Sequence, residues 1–267
     1  MVWWFVLAEH FGKTYSKILD LISEKKGLAF LVIDPPNQPV ETAGRIAKLA
    51  EQAGFDAITI GGSVGAQGEL LDKTIIAAKE NSSLPVILFP GNIATLSDKA
   101  DAVYFMTLLN SNDPYYLSGA QTAASFPVKR MGLEYIPTSY IVAEPGRAVG
   151  FIGRAQLIPR NLPYLAAATA LAGQMMGSHL VILESGGGAS EPAPVEMVSA
   201  TKKALDIPLI VAGGVKTEQF AYQTIKAGAD IIHVGSALEK ARGNLDEARK
   251  IMQSFISGVR KGAKEKK

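Results

Sequence analysis

The sequence predicts an α/β protein built as a single (β/α)8 TIM-type barrel, and three observations carry that prediction. Short apolar runs of strand length alternate with helical patterns. Eight such units fill a chain of 267 residues. Glycines and carboxylates gather just after the apolar runs, where a barrel of this kind keeps its chemistry.

The strands are expected over 28–33, 56–60, 85–89, 102–106, 140–143, 180–183, 208–212 and 231–234. Their near-continuous Val, Ile and Leu, without polar alternation, imply burial on both faces. Helices are expected over 13–25, 40–52, 70–81, 112–124, 161–176, 193–205, 218–227 and 245–261, each with an apolar stripe such as Ile46, Leu49 and Ala53. The third crossover, 90–101, is too short for a full helix, so an irregular segment is expected there. An open doubly wound sheet also fits the alternation, but it calls for a Gly-x-Gly-x-x-Gly turn after the first strand, and this chain has Asp34-Pro35-Pro36.

No linker or compositional break divides the chain, so residues 1–267 are read as one domain, with 1–26 an N-terminal segment and helix and 261–267 a basic tail. A hydrophobic content of 48% supplies a sizeable core. The net charge is only +2, with basic residues dispersed outside a tail read as a solvated helix end, so a nucleic-acid partner is not expected. Cysteine is absent, which excludes disulfides and thiolate metal sites. The apolar start is too short to cross a bilayer and lacks the pattern of a signal peptide, so a cytosolic protein is expected. Trp3, Trp4 and Phe5 are expected to cover the closed bottom of the barrel, with contact to a partner subunit or a membrane surface as the alternative.

The strand ends carry the candidate site. Gly213-Gly214 and Gly235-Ser236 follow the seventh and eighth strands, and their backbone N–H groups suit a phosphate dianion. Glu184 ends the sixth strand and runs into Ser185-Gly186-Gly187-Gly188; a carboxylate there can take a proton from a substrate hydroxyl. The other reading of that stretch is a flexible turn after an exposed Glu. Asp34 and Ser63 offer hard oxygen atoms across the mouth, although Asp34 can equally cap the following helix. His10, His179 and His233 show no metal-ligand spacing; the latter two are expected to be structural, and Lys216 a solvated loop residue.

Taken in order, Ile33-Asp34-Pro35, Gly61-Gly62-Ser63, Phe105 to Ser111, Leu183 to Gly188, Gly213-Gly214 and Gly235-Ser236 resemble the geranylgeranylglyceryl phosphate synthase family. Glu144-Pro145-Gly146 and the fourth-strand pattern are similar to the second group of that family. The resemblance implies a prenyltransferase that joins sn-glycerol 1-phosphate to geranylgeranyl diphosphate or a similar prenyl diphosphate by an ether bond. It implies that Ile182, Leu183, Glu184, Ser185, Gly186, Gly187, Gly188, Gly213, Gly214, Gly235 and Ser236 hold glycerol phosphate, with Glu184 catalytic. It further implies that Asp34 and Ser63 hold Mg2+ on the diphosphate, and that the chain is a homo-oligomer, in its second group often a hexamer. One departure stands out. The family's tyrosine two residues before the sixth-strand glutamate is here Ile182, so a hydroxyl contact is missing and reduced but real activity is expected. A phosphosugar or cofactor-precursor enzyme and a non-catalytic phosphate- or lipid-binding barrel are the alternatives.

Overall fold

In the computed structural model, which describes residues 12–62, 64–239 and 244–266, eight parallel strands close into a barrel in sequence order. They are β1 (Leu28–Ile33), β2 (Ala57–Ile60), β3 (Val86–Leu88), β4 (Ala102–Leu108), β5 (Glu134–Val142), β6 (Leu180–Glu184), β7 (Leu209–Ala212) and β8 (Ile231–Val234), and β8 pairs back onto β1. The helices are α1 (Lys13–Lys25), α2 (Val40–Ala53), α3 (Gly68–Asn81), α4 (Ala120–Met131), α5 (Arg147–Ile152), α6 (Pro163–Met175), α7 (Val195–Ala204), α8 (Glu218–Lys226), α9 (Ser236–Glu239) and α10 (Leu245–Glu265). Trp3, Trp4, Phe5, His10 and Ser63 lie outside the described residues.

The unbroken apolar strands follow from a barrel wall that is dry on both sides. Successive side chains point to opposite faces, so Leu28, Phe30, Tyr104, Tyr140, Ile182 and Ile210 fill the interior. Their neighbours Ala29, Leu31, Ile58, Val181, Leu183 and Val211 pack outward against the helices, meeting Ile46, Ala47, Met197 and Phe255 among others. Most strand positions are therefore apolar on both faces, and the few polar side chains among them, such as Thr59 and Ser139, are buried.

Four expectations need correction. The fifth strand starts at Glu134, not at residue 140, because polar residues conceal its first half. Inside the wall those groups are satisfied: Thr138 Oγ1 donates to the Ile136 carbonyl at 2.7 Å, and the Ser139 and Ser178 hydroxyls lie 2.7 Å apart. The fourth strand runs on to Leu108. The helix expected over 112–124 is instead a π turn, Tyr115–Gly119, leading into α4, which continues to Met131. The tail is not simply a solvated helix end, since Lys266 turns inward and its Nζ donates to Asp230 Oδ1 at 2.7 Å and to the Lys26 and Ala229 carbonyls. The third crossover is irregular as expected: no helix forms between β3 and β4. Ser97 Oγ on Asp72 at 2.6 Å and Lys79 on Asp101 at 2.7 Å tie it down at its edges.

At the amino ends of the strands, Asp230 is the buried hub. It takes ammonium groups from Lys202 and Lys266, each at 2.7 Å, and its Oδ2 also accepts the Leu209 N–H at 2.9 Å. Removing one side of such a buried set strands the other charges and a backbone donor. Asp230→Ala is expected to lower unfolding free energy by roughly 3 kcal/mol in chemical denaturation. A loss below about 1 kcal/mol, the range of an exposed ion pair, contradicts that role.

Candidate active site at the carboxyl ends of the strands

A cleft of about 960 Å³ opens at the carboxyl ends of the strands. Its two ends differ in chemistry. Around β6 to β8 the lining is Glu184, Gly187, Gly188, Gly213, Gly214, Gly235 and Ser236. Toward the third crossover it becomes apolar, with Ile46, Leu96, Val103, Phe105 and Ala124. Val103 and Phe105 point outward from β4, where a third helix is normally packed. Its absence leaves this stretch of wall to the cleft.

Glu184 is 5% exposed and sits at the last position of β6. Oε1 accepts the Gly186 N–H at 2.6 Å, and Oε2 accepts the Tyr140 hydroxyl at 3.3 Å. Tyr140 reaches it from the next strand, since Val142 is the register partner of Glu184 and Tyr140 that of Ile182. Burial pushes the Glu184 carboxyl up from the ordinary 4.5 to about 7, against the opposing pull of these two donors. Burial, and then the adjacent carboxylate, hold the Tyr140 phenol well above its ordinary range, so it stays a donor. Gly213 is required beside this carboxylate. Its φ is +75°, and a Cβ there would lie 2.2 Å from Glu184 Oε1.

The structure separates the residues expected to hold glycerol phosphate. Glu184, Gly187, Gly188, Gly213, Gly214, Gly235 and Ser236 line the cleft. Ile182 lies one layer deeper in the barrel interior, and Leu183 faces the helices. Ser185 is fully buried, and Gly186 contributes its N–H to Glu184. Lys216 is not merely a solvated loop residue, because its Nζ donates to the Gly188 carbonyl at 3.0 Å and ties the glycine loop of β6 to that of β7. Arg160 braces the β5 and β6 loops, reaching the Glu144 and Pro192 carbonyls and Glu191 Oε1.

Across the cleft, Asp34 does not cap the following turn with its side chain. Its Oδ2 accepts the Asn37 amide at 3.0 Å, and Gly62 lies so close that a Cβ there would come within 2.2 Å of Oδ1. The second residue of the expected metal pair, Ser63, is outside the described residues. Among those described, no group of three or more His, Asp or Glu could cage a metal ion. One carboxylate in a roomy cleft fits an ion completed by substrate phosphate oxygens and water, as Mg2+ commonly is.

The cleft floor holds two tyrosines absent from the strand-end motifs and one histidine that was expected to be structural. Tyr104, Tyr140 and His233 are buried beneath the mouth, and Phe89 packs edge-on against the two tyrosines at 5.7 Å. Their signal in the sequence is inward parity with the strand-end residues, which becomes legible only once strand limits are known.

The geometry defines a (β/α)8 barrel whose cleft joins a glycine-lined polar end, with one buried carboxylate, to a long apolar side. Comparison places it further. A model of the PcrB family matches residues 20–254. The geranylgeranylglyceryl phosphate synthase of Pyrococcus horikoshii is 53% identical over 236 residues, covering 88% of this chain and 92% of that one. That of Thermococcus sibiricus is 51% identical over 249 residues, covering 93% and 97%. A crystal structure of the Thermoplasma acidophilum synthase in complex with sn-glycerol-1-phosphate superposes with a TM-score of 0.86 at 36% identity, covering 91% of this chain and 98% of that one. The chain belongs to the PcrB family, and the resemblance drawn from its strand ends is borne out.

Two outcomes are expected from the Glu184 environment. Folding raises its pKa, so the folded chain holds that proton more tightly; the resulting stability is complete below pH 4.5 and is lost as pH rises through about 7. Relative to the parent, Glu184→Gln is expected to gain about 3 kcal/mol between pH 4.5 and pH 8 in denaturation experiments; an equal pH dependence in both proteins contradicts this. Because Tyr140 stabilises the ionised carboxylate, Tyr140→Phe is expected to raise the pH midpoint of Glu184 ionisation, measured by carbon-13 NMR of its carboxyl. An unchanged or lower midpoint excludes that contribution.

Proposed function

We propose that the chain transfers a prenyl group from a prenyl diphosphate to the 3-hydroxyl of sn-glycerol 1-phosphate, releasing diphosphate, as an early step in making ether-linked membrane lipid. The observation that carries this reading is Glu184, buried among the glycines of a cleft whose remaining lining includes a long apolar side. The names of the Pyrococcus and Thermococcus relatives support the activity. The glycerol phosphate bound to the Thermoplasma enzyme supports the acceptor.

In this reading the phosphate lies over the backbone N–H groups around Gly213, Gly214, Gly235 and Ser236. That places the acceptor hydroxyl at Glu184. The ionised carboxylate takes the hydroxyl proton as the oxygen bonds to the first carbon of the prenyl chain, while the bond from that carbon to diphosphate breaks. With a pKa of about 7, Glu184 is a base poised near neutral pH. Gly186 and Tyr140 hold its two oxygens, so little reorganisation accompanies proton transfer.

The apolar side supplies the other requirement. Phe105, Val103, Leu96 and Ile46 give an isoprenoid chain a dry path, and they keep water from the allylic carbon as it gains positive character. Asp34, with Ser63 as the second expected ligand, would hold Mg2+ against the diphosphate, where the ion would neutralise charge building on the leaving group. Exposed Phe126, Tyr135 and Met175 support contact between subunits in a homo-oligomer. No described helix is long and apolar enough to cross a membrane. A cytosolic enzyme touching the membrane only peripherally completes the reading.

Incubation with radiolabelled sn-glycerol 1-phosphate, geranylgeranyl diphosphate and Mg2+ is expected to give label extractable into butanol. No labelled lipid defeats the proposal. Glu184→Gln is expected to lower kcat at least about 100-fold with little change in the glycerol phosphate KM. A loss confined to KM assigns Glu184 to binding instead. Asp34→Asn is expected to raise the Mg2+ concentration needed for half-maximal rate, and an unchanged requirement removes Asp34 from the metal site.

A further inference from the structure

Beneath the polar end of the cleft lies a buried pair that the mechanism above leaves unused. His233 faces inward from β8, two residues before Gly235, and is 3% exposed. One ring nitrogen, Nε2, is 3.3 Å from the hydroxyl of Tyr104, which reaches across from β4 and is itself fully buried. Both side chains line the cleft. The rest of the imidazole is wrapped by aromatic rings, with Phe30 and Tyr104 roughly parallel to it and Phe89 at a steep angle.

The second ring nitrogen, Nδ1, is buried and has no hydrogen-bond partner among the described residues. A buried, unpaired polar atom lowers stability and calls for an explanation. Burial also depresses the His233 pKa to about 3, so the ring is neutral, and burial keeps the Tyr104 phenol protonated. Between a phenol and a neutral imidazole the phenol is the more acidic donor. Tyr104 therefore donates to Nε2, and the proton of the neutral ring stays on Nδ1. The pair leaves one N–H without a protein partner among the described residues, on a ring that lines the cleft.

A glycerol phosphate has three polar points. Under the proposed function, on which this inference rests, the phosphate lies over the glycines after β7 and β8, and the reacting hydroxyl lies at Glu184 on β6. The carbon between them spans the floor formed by the inward residues of these strands. There β6 offers Ile182, which has no hydroxyl, and β7 offers the methyl of Ala212. His233 on β8 is the polar side chain that these three strands place at the floor. We infer that His233, with its tautomer fixed by Tyr104, recognises the secondary hydroxyl of glycerol phosphate through Nδ1–H and thereby determines acceptor specificity. The inference also supplies an acceptor contact on a floor where Ile182 brings none.

The test compares two acceptors, sn-glycerol 1-phosphate and 3-hydroxypropyl phosphate, which keeps the phosphate and the reacting hydroxyl but lacks the secondary one. The parent enzyme is expected to prefer glycerol phosphate by about tenfold in kcat/KM, and His233→Phe to reduce that preference to within about twofold. Tyr104→Phe is expected to weaken the preference without abolishing it. If His233→Phe slows both acceptors equally and keeps the preference, the residue is structural and the inference fails. Nitrogen-15 NMR of the histidine rings reads the same point without turnover. The Nδ1–H tautomer and a shift on adding sn-glycerol 1-phosphate, but not 3-hydroxypropyl phosphate, are expected, with His233→Phe identifying the signal. An Nε2–H tautomer, or equal shifts with both compounds, overturns the inference. Absence of any prenylated product defeats the proposed function instead, and the NMR titration still decides the role of His233.

Discussion

A carboxylate held out of water keeps a useful charge only if donors meet both of its oxygens, and that constraint organises the mouth of this barrel. Glu184 sits where β6 ends, too deep for bulk solvent, with the Gly186 N–H on one oxygen and the Tyr140 hydroxyl on the other. The first donor requires the chain to turn back sharply after Ser185. The second requires β5 and β6 to be in the register that sets Tyr140 beside Ile182. Gly213 then approaches so closely that no side chain fits there. Three strands are thus committed to one side chain, and its pKa near 7 results from burial that these donors only partly offset.

The same closure that dries the wall on both faces also explains the two-ended cleft. Strand interiors spend their side chains on the two cores, so polar chemistry is confined to strand ends and the loops beyond them. With no helix after β3, Val103 and Phe105 on the outer side of β4 border the cleft, and that stretch of its lining is apolar. An apolar channel beside a polar pocket therefore arises from deleting one element rather than from adding one. Lys216 and Arg160 hold the loops that border the polar end, so the glycines there are constrained by neighbours despite having no side chains of their own.

Much of this was legible in the sequence because parallel strands buried on both faces leave a strong, simple pattern. The eight strands, the missing third helix, Glu184 and the later glycines could all be placed from the apolar runs and the residues at their carboxyl ends. The first half of β5 could not, because Glu134, Pro137, Thr138 and Ser139 read as a loop, and their hydrogen bonds exist only once the wall has formed. Tyr140 was visible as a residue but not as a partner, since its bond to Glu184 depends on a register between strands 44 positions apart. The Tyr104–His233 pair was hidden for the same reason, with 129 positions between its members. Spacing along the chain carries no trace of such contacts. Ile182 shows the converse: its identity was plain, while its place beneath the carboxylate needed the fold.

The central claim is that one molecule of acceptor bridges the glycine-lined end and Glu184. Its most direct test is a crystal structure of this protein with sn-glycerol 1-phosphate bound. The phosphate is expected over Gly213, Gly214 and Gly235, with the terminal hydroxyl roughly 2.6–3.2 Å from a Glu184 oxygen. A phosphate bound elsewhere, or a hydroxyl turned away from Glu184 with the phosphate in place, contradicts it.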